Sequence, residues 1–176
     1  MTRSVLLLRA VNVGGRAKVP MARLREVLAP ELGGEVSTYI ASGNVICDTP
    51  ADPVAACART RAIIAEEFDV DTPVIHRSHD ELVAATARHP FADASEKMLH
   101  AMFLDGDAWD GALDALTDRL MPGERIALVG RELWIDYGES GVQGTRLTKA
   151  VFDRALGVAG TARNLRTVRT LAELTG

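Results

Sequence analysis

The stretch Val36-Ser37-Thr38-Tyr39-Ile40-Ala41-Ser42-Gly43-Asn44-Val45-Ile46-Cys47-Asp48 reads as two strands, 36–41 and 45–48, closed by the short turn Ser42-Gly43-Asn44. Gly and Asn are the residues that turn a hairpin at little steric cost. Upstream, residues 4–10 form the continuous apolar run of a buried strand, and Asn12-Val13-Gly14-Gly15 is turn chemistry. Pro20 suits a first helical turn, Met21, Leu24, Val27 and Leu28 keep helical spacing, and Gly33-Gly34 ends the helix. Downstream, a helix is predicted over 52–68 and a short strand over 73–76. The hairpin between two helices therefore sits inside the order βαββαβ.

The same order restarts later. Ser78 and Glu81 have the spacing of a capping box, which predicts a helix ending near Pro90. A strand over 98–104, a helix over 108–120 stopped by Pro122-Gly123, strands over 125–129 and 132–137, a helix over 146–156 and a final helix over 164–174 follow, giving βαββαα. The reading is an α+β chain of two ferredoxin-like βαββα(β) repeats docked together, the first over 1–90 with an added helix and the second over 91–176 with a C-terminal helix. No Gly-, Ser- or Pro-rich linker separates them.

Composition narrows the class. The chain of 176 residues is 47% hydrophobic and 25% charged, which is globular and not disordered. Its apolar runs, Val5-Leu6-Leu7-Leu8 among them, are far below the roughly 20 residues of a membrane span, and no secretory leader is evident, so a cytoplasmic protein is expected. Cys47 and Cys57 lack metal-binding spacing and are expected as reduced thiols. The net charge of −4 is uneven: residues 1–25 carry six Arg or Lys and no acid, and residues 142–176 carry six against two. Such basic ends suit a phosphate-bearing or otherwise anionic partner if they meet in space; solvated arginines that merely cluster are the plainer alternative.

Two segments hold the candidate site residues. The loop 12–20 leaves a strand, passes Gly14, Gly15 and Lys18, and enters a helix whose N–H groups point back at it, the geometry of an anion site. It matches neither GxxxxGK[ST] nor GxGxxG, and turn glycines beside a solvated lysine would explain it equally well. In the second segment Asn164 reads as a helix cap, while Arg163 could grip a carboxylate or phosphate, or form an internal pair. Arg146 and Lys149 add cations near another helix start. No GxSxG, HExxH or paired-cysteine zinc pattern occurs. His76 and His79 lie three apart without the ligands that would complete a metal shell, so no metal and no cofactor are expected. Trp109, Trp134, Phe103 and Phe152 are expected in the core.

The segments Leu7-Leu8-Arg9-Ala10-Val11-Asn12-Val13-Gly14-Gly15, Lys18-Val19-Pro20-Met21, Tyr39-Ile40-Ala41-Ser42-Gly43-Asn44-Val45 and Thr161-Ala162-Arg163-Asn164 with Thr167-Val168 together resemble domain-of-unknown-function family 1697. The resemblance runs over nearly the whole chain. It implies two ferredoxin-like halves and no function. Members usually place an aromatic directly after the Arg-Asn pair, where this chain has Leu165, so stacking on a ring at that position is not available here.

Three functions follow. The first is binding or conversion of a phosphorylated or anionic small molecule through Arg9, Asn12, Gly14, Gly15, Lys18, Ser42, Asn44, Lys149, Arg163, Asn164 and Thr167, all at strand ends, turns or helix starts. The second is nucleic-acid binding, for which the strands offer few aromatics. The third is a structural or interaction protein in which these residues only shape turns and caps.

Overall fold

The computed structural model describes residues 2–176. The elements run β1 (Arg3–Leu8), α1 (Met21–Leu32), β2 (Ser37–Tyr39), β3 (Asn44–Asp48), α2 (Pro53–Phe68), β4 (Val74–Ser78), α3 (His79–Arg88), β5 (Leu99–Leu104), α4 (Ala112–Thr117), β6 (Arg125–Val129), β7 (Glu132–Asp136), α5 (Lys149–Leu156), β8 (Gly160–Asn164) and α6 (Leu165–Thr175). The fold is mixed α+β, with two four-stranded antiparallel sheets ordered β2-β3-β1-β4 and β6-β7-β5-β8. The chain divides into two compact units. One holds the residues up to Val83 together with Leu171–Gly176, and the other holds Ala84–Thr170.

In the first unit β1 is central and pairs with β3 and β4. Its apolar run is continuous because both of its faces are buried: Leu6 and Leu8 pack with Leu24, Leu28 and Ile64 of the helices, while Val5 and Leu7, pointing the other way, are also fully buried. Helix α2 starts as its sequence dictates, with Asp52 accepting from the Ala55 N–H at 3.0 Å and Pro53 in the first turn. The Ser78–Glu81 capping box forms in both directions, at 2.8 and 3.2 Å. His79 turns its Nδ1 to Ala172 O at 3.1 Å and Thr175 Oγ1 at 3.2 Å. Among the described residues no cluster of His, Cys, Asp and Glu could hold a metal, and Cys47 (buried) and Cys57 (half-buried) are free thiols.

The second unit departs from expectation in three places. Residues 160–164 form strand β8, paired with the central β5, so this half also ends in a strand before its last helix. Helix α4 is confined to Ala112–Thr117, because Gly111 takes a left-handed φ of 78° at its start and leaves 108–111 as a turn. Trp109 lies on that turn and is 63% exposed, while Trp134, Phe103 and Phe152 are in the core as expected.

Half-buried His100 and buried Tyr137 lie together beside this second core. The His100 ring stands edge-on to Tyr137, centroids 5.0 Å apart, with Nδ1 3.1 Å from Met98 O. Burial pushes the His100 imidazole below its ordinary range and the Tyr137 phenol up to about 12. A histidine depressed in the folded state contributes stability that is present above about pH 6.5, its unfolded value, and is lost as pH falls through its folded pKa. NMR titration is expected to show the His100 ring still neutral at pH 6.5; a midpoint at or above that value would contradict its burial.

Candidate functional site

Twelve residues, 9–20, connect β1 to α1, against seven, 105–111, between β5 and α4. The extra length is tightly organised. Its entry is fixed by Arg9 N–H donating to Pro73 O (3.3 Å) and Thr72 Oγ1 donating to Arg9 O (2.6 Å). Asn12 then uses its whole side-chain amide as a clamp: Nδ2 donates to Val19 O (2.9 Å) and Ala41 O (2.8 Å), and Oδ1 accepts from Val19 N–H (2.8 Å). Its backbone N–H donates to Ala17 O at 3.0 Å. One side chain thus closes the loop on itself and ties it to the β2–β3 turn. Within the closed segment Val13 and Arg16 pair as a small antiparallel bridge around Gly14 and Gly15.

The backbone here is held where L-residues rarely go. Ala10 (φ 52°), Asn12 (56°) and Ala17 (47°) join Gly14 (58°) and Gly15 (73°) in the left-handed region, and Ile40 (50°) does so in the neighbouring turn. Asn tolerates that conformation; Ala and especially a β-branched Ile do not, at roughly 1–2 kcal/mol each. The surrounding bonds have to hold them. In the same turn Asn44, fully buried, donates to Tyr39 O (3.0 Å) and Ser42 Oγ (3.2 Å), and Gly43 O accepts from Leu8 N–H (2.8 Å).

The loop itself carries charge of one sign. Arg9 is half-buried, Arg16 and Lys18 are exposed, and no acid lies between residues 9 and 20. The loop delivers the chain to α1, whose start at Pro20 has no side-chain cap and no acid in its first turn. Arg23, one turn in, is taken by Glu67 and Glu26.

The C-terminal candidates lie in the second unit. Arg163 is 6% exposed, and its Nη1 donates to Thr161 Oγ1 and to Ala162 O, both at 2.8 Å. Burial pushes its guanidinium down to about 10. Asn164 caps α6 by accepting from Thr167 N–H at 2.9 Å, and Thr167 is itself buried. Lys149 is exposed and pairs with Asp153 at 3.6 Å. Leu165, in the position where relatives of the resembled family carry an aromatic, is buried in the core.

Sequence reasoning passed over one counterpart. Arg77 is 1% exposed, and its Nη1 donates to His76 O at 2.8 Å, as Arg163 does to Ala162 O. Each arginine faces the same position of its central strand, Val5 opposite Arg77 and Ala101 opposite Arg163, and each precedes a helix-capping residue, Ser78 or Asn164. That shared Arg-cap pair was the available signal.

A family model described as protein of unknown function (DUF1697) matches residues 1–134. The chain belongs to the DUF1697 family. Every clamp residue of the β1–α1 loop falls inside the matched part. Among solved structures, the DUF1697 chain is similar to the conserved bacterial protein SP0830 from Streptococcus pneumoniae, with a TM-score of 0.79, 22% sequence identity and 99% of each chain covered. At that identity the likeness concerns the fold. No curated protein matches the DUF1697 chain.

Proposed function

We propose that this chain binds a phosphate-bearing anion at the β1–α1 loop of its first unit. One observation carries the reading: a basic loop, held in a strained conformation by the Asn12 clamp, ends at a helix start that no side chain caps. Strain of this kind collects at binding sites, where it fixes groups in advance. Of the candidate residues, Asn12 closes the loop and ties it to the β2–β3 turn that Ser42 and Asn44 shape, Gly14 and Gly15 turn it, and Arg9 and Lys18, joined by Arg16, supply charge. Arg163, Asn164 and Lys149 have internal roles that account for them without a ligand, so the proposal rests on the N-terminal set.

We also read the two units as ferredoxin-like repeats from a duplication, one in each half of a cytoplasmic chain. In support, both sheets run in the same strand order, and Leu8 N–H to Gly43 O and Arg9 N–H to Pro73 O have counterparts in Leu104 N–H to Arg131 O and Asp105 N–H to Ala159 O. Among the described residues no helix is long and apolar enough to cross a membrane. Nucleic-acid binding takes second place. An RNA-reading sheet stacks bases on exposed aromatics, and the outward-alternating positions here, Val5, Leu7, Ile46 and Ile75, are aliphatic and buried.

The test is the melting temperature with millimolar inorganic pyrophosphate, for the wild type, Lys18→Ala and Arg16→Ala, at low and moderate salt. A ligand bound only to the native state raises it. The wild type is expected to rise and the variants to respond weakly. Both side chains are exposed, so the variants' own stability should stay within about 0.5 kcal/mol of wild type. No rise in the wild type, or equal rises in all three proteins, would reject the site.

A further inference from the structure

Strand β6 is the outer edge of the second sheet. The turn Gly130-Arg131 has two residues, so Val129 and Glu132 face each other as a hydrogen-bonded pair and the bonding alternates from there. Arg125, Ala127 and Val129 therefore turn their N–H and C=O groups toward β7, while Ile126 and Leu128 turn theirs outward. The far side of β7 agrees: Arg131 O and Tyr137 N–H bond to β5, which leaves Glu132, Trp134 and Asp136 for β6. None of the described residues bonds to the outward groups of Ile126 and Leu128. Sheets commonly protect such an edge with Lys, Pro, a bulge or a very short strand. In β6, Arg125-Ile126-Ala127-Leu128-Val129, the register is regular, the one charge is already paired with Asp136 and Asp93, and Leu128 is 38% exposed. The equivalent edge of the first sheet, β2, has three residues, of which Thr38 alone turns outward, and the Thr38 hydroxyl is held by Arg25.

We infer that β6 is the docking edge for a second copy of this chain, whose own β6 adds antiparallel to it across a twofold axis. The strand is complementary to itself. With Ala127 opposite Ala127 of the second copy, each Ile126 falls opposite the other copy's Leu128, and the outward N–H and C=O groups exchange hydrogen bonds with none left over. The Ile126 and Leu128 side chains then meet as apolar pairs on one face. Arg125 falls opposite Val129 of the second copy, so no like charges oppose. Pairing of this kind uses the same patch on both copies and closes as a dimer. With one short strand from each copy the contact is small, so the dimer is weak, half-formed on the order of 100 µM. The inference is independent of the anion site.

Sedimentation velocity of the full chain, from about 5 to about 500 µM to bracket that constant, tests the dimer. The wild type is expected to pass from monomer to dimer across the range. Leu128→Lys should weaken association about tenfold or more, while Val54→Lys, a charge at an exposed position of α2, should leave it unchanged. The register is read by cross-linking under mild oxidation at the highest concentration. Ala127→Cys is expected to give a reducible dimer, because the Cα atoms of a directly opposed, non-hydrogen-bonded pair lie about 4.5 Å apart, within disulfide reach. Val129→Cys should not, since Val129 faces Arg125 of the second copy and not its own counterpart. The wild type, with Cys47 and Cys57, gives the background. A wild type that stays monomeric throughout overturns the inference, as does a dimer that Leu128→Lys leaves intact, or cross-linking no greater at 127 than at 129. If Leu128→Lys does not fold, the two cysteine variants decide.

Discussion

Gly43→Ala is expected to lower the unfolding free energy by about 2–4 kcal/mol, read by urea denaturation. Two costs combine. At φ 85° any L-residue is strained, and a Cβ built there would lie 2.7 Å from Leu8 Cβ and 2.7 Å from Val11 Cγ2. Neither neighbour can retreat easily, since both are buried and Leu8 ends the central strand of its sheet. The control is Gly14→Ala: its φ of 58° carries the same kind of strain, but nothing lies within 4 Å of the added Cβ, so about 1 kcal/mol is expected. Equal losses at the two positions would mean that the turn does not press on the core.

Arg163→Ala is expected to cost about 3 kcal/mol, because it empties a large buried volume and removes a donor from Thr161 Oγ1 and Ala162 O. Arg163→Met separates packing from charge. Burial alone drives the guanidinium down to about 10, so in this environment the charge is a cost. Methionine fills much of the space without it and is expected to lose about 1 kcal/mol, by the same denaturation measurement. A Met variant as unstable as Ala would show that the hydrogen bonds dominate. A folded pKa below the unfolded 12.5 means that this group's unfavourable contribution is relieved as pH rises through about 10.

What could be read from the sequence was local. The apolar run of β1, the Ser42-Gly43-Asn44 turn, the Asp52 and Ser78 helix starts and the Asn164 cap are each set by neighbouring residues, and they stand close to where the sequence puts them. Strand β8 was hidden because Gly160-Thr161-Ala162-Arg163-Asn164 has no apolar run of its own; pairing with β5 makes it a strand. The helical spacing after Ala108 suggested an early helix and a buried Trp109, and Gly111 breaks both.

The candidate site was legible by position more than by role. The sequence marks Asn12 as a polar residue in a loop, but only the folded chain shows its amide spent on Val19 and Ala41 and no longer directed at a ligand. Arg163 resembled a surface grip because its neighbours are polar, and its burial is a tertiary fact. Strain at Ala10, Ala17 and Ile40 is invisible in residue type, since none of the three advertises left-handed backbone.

Backbone amide shifts followed during a pyrophosphate titration are the sharpest test of the proposed anion site at the β1–α1 loop. Saturable changes are expected on Gly14, Gly15, Lys18 and the first turn of α1, with a smaller response in the Ile40–Gly43 turn through the Asn12 clamp. Saturable changes elsewhere that leave these amides unmoved, or no change at millimolar pyrophosphate, would contradict it.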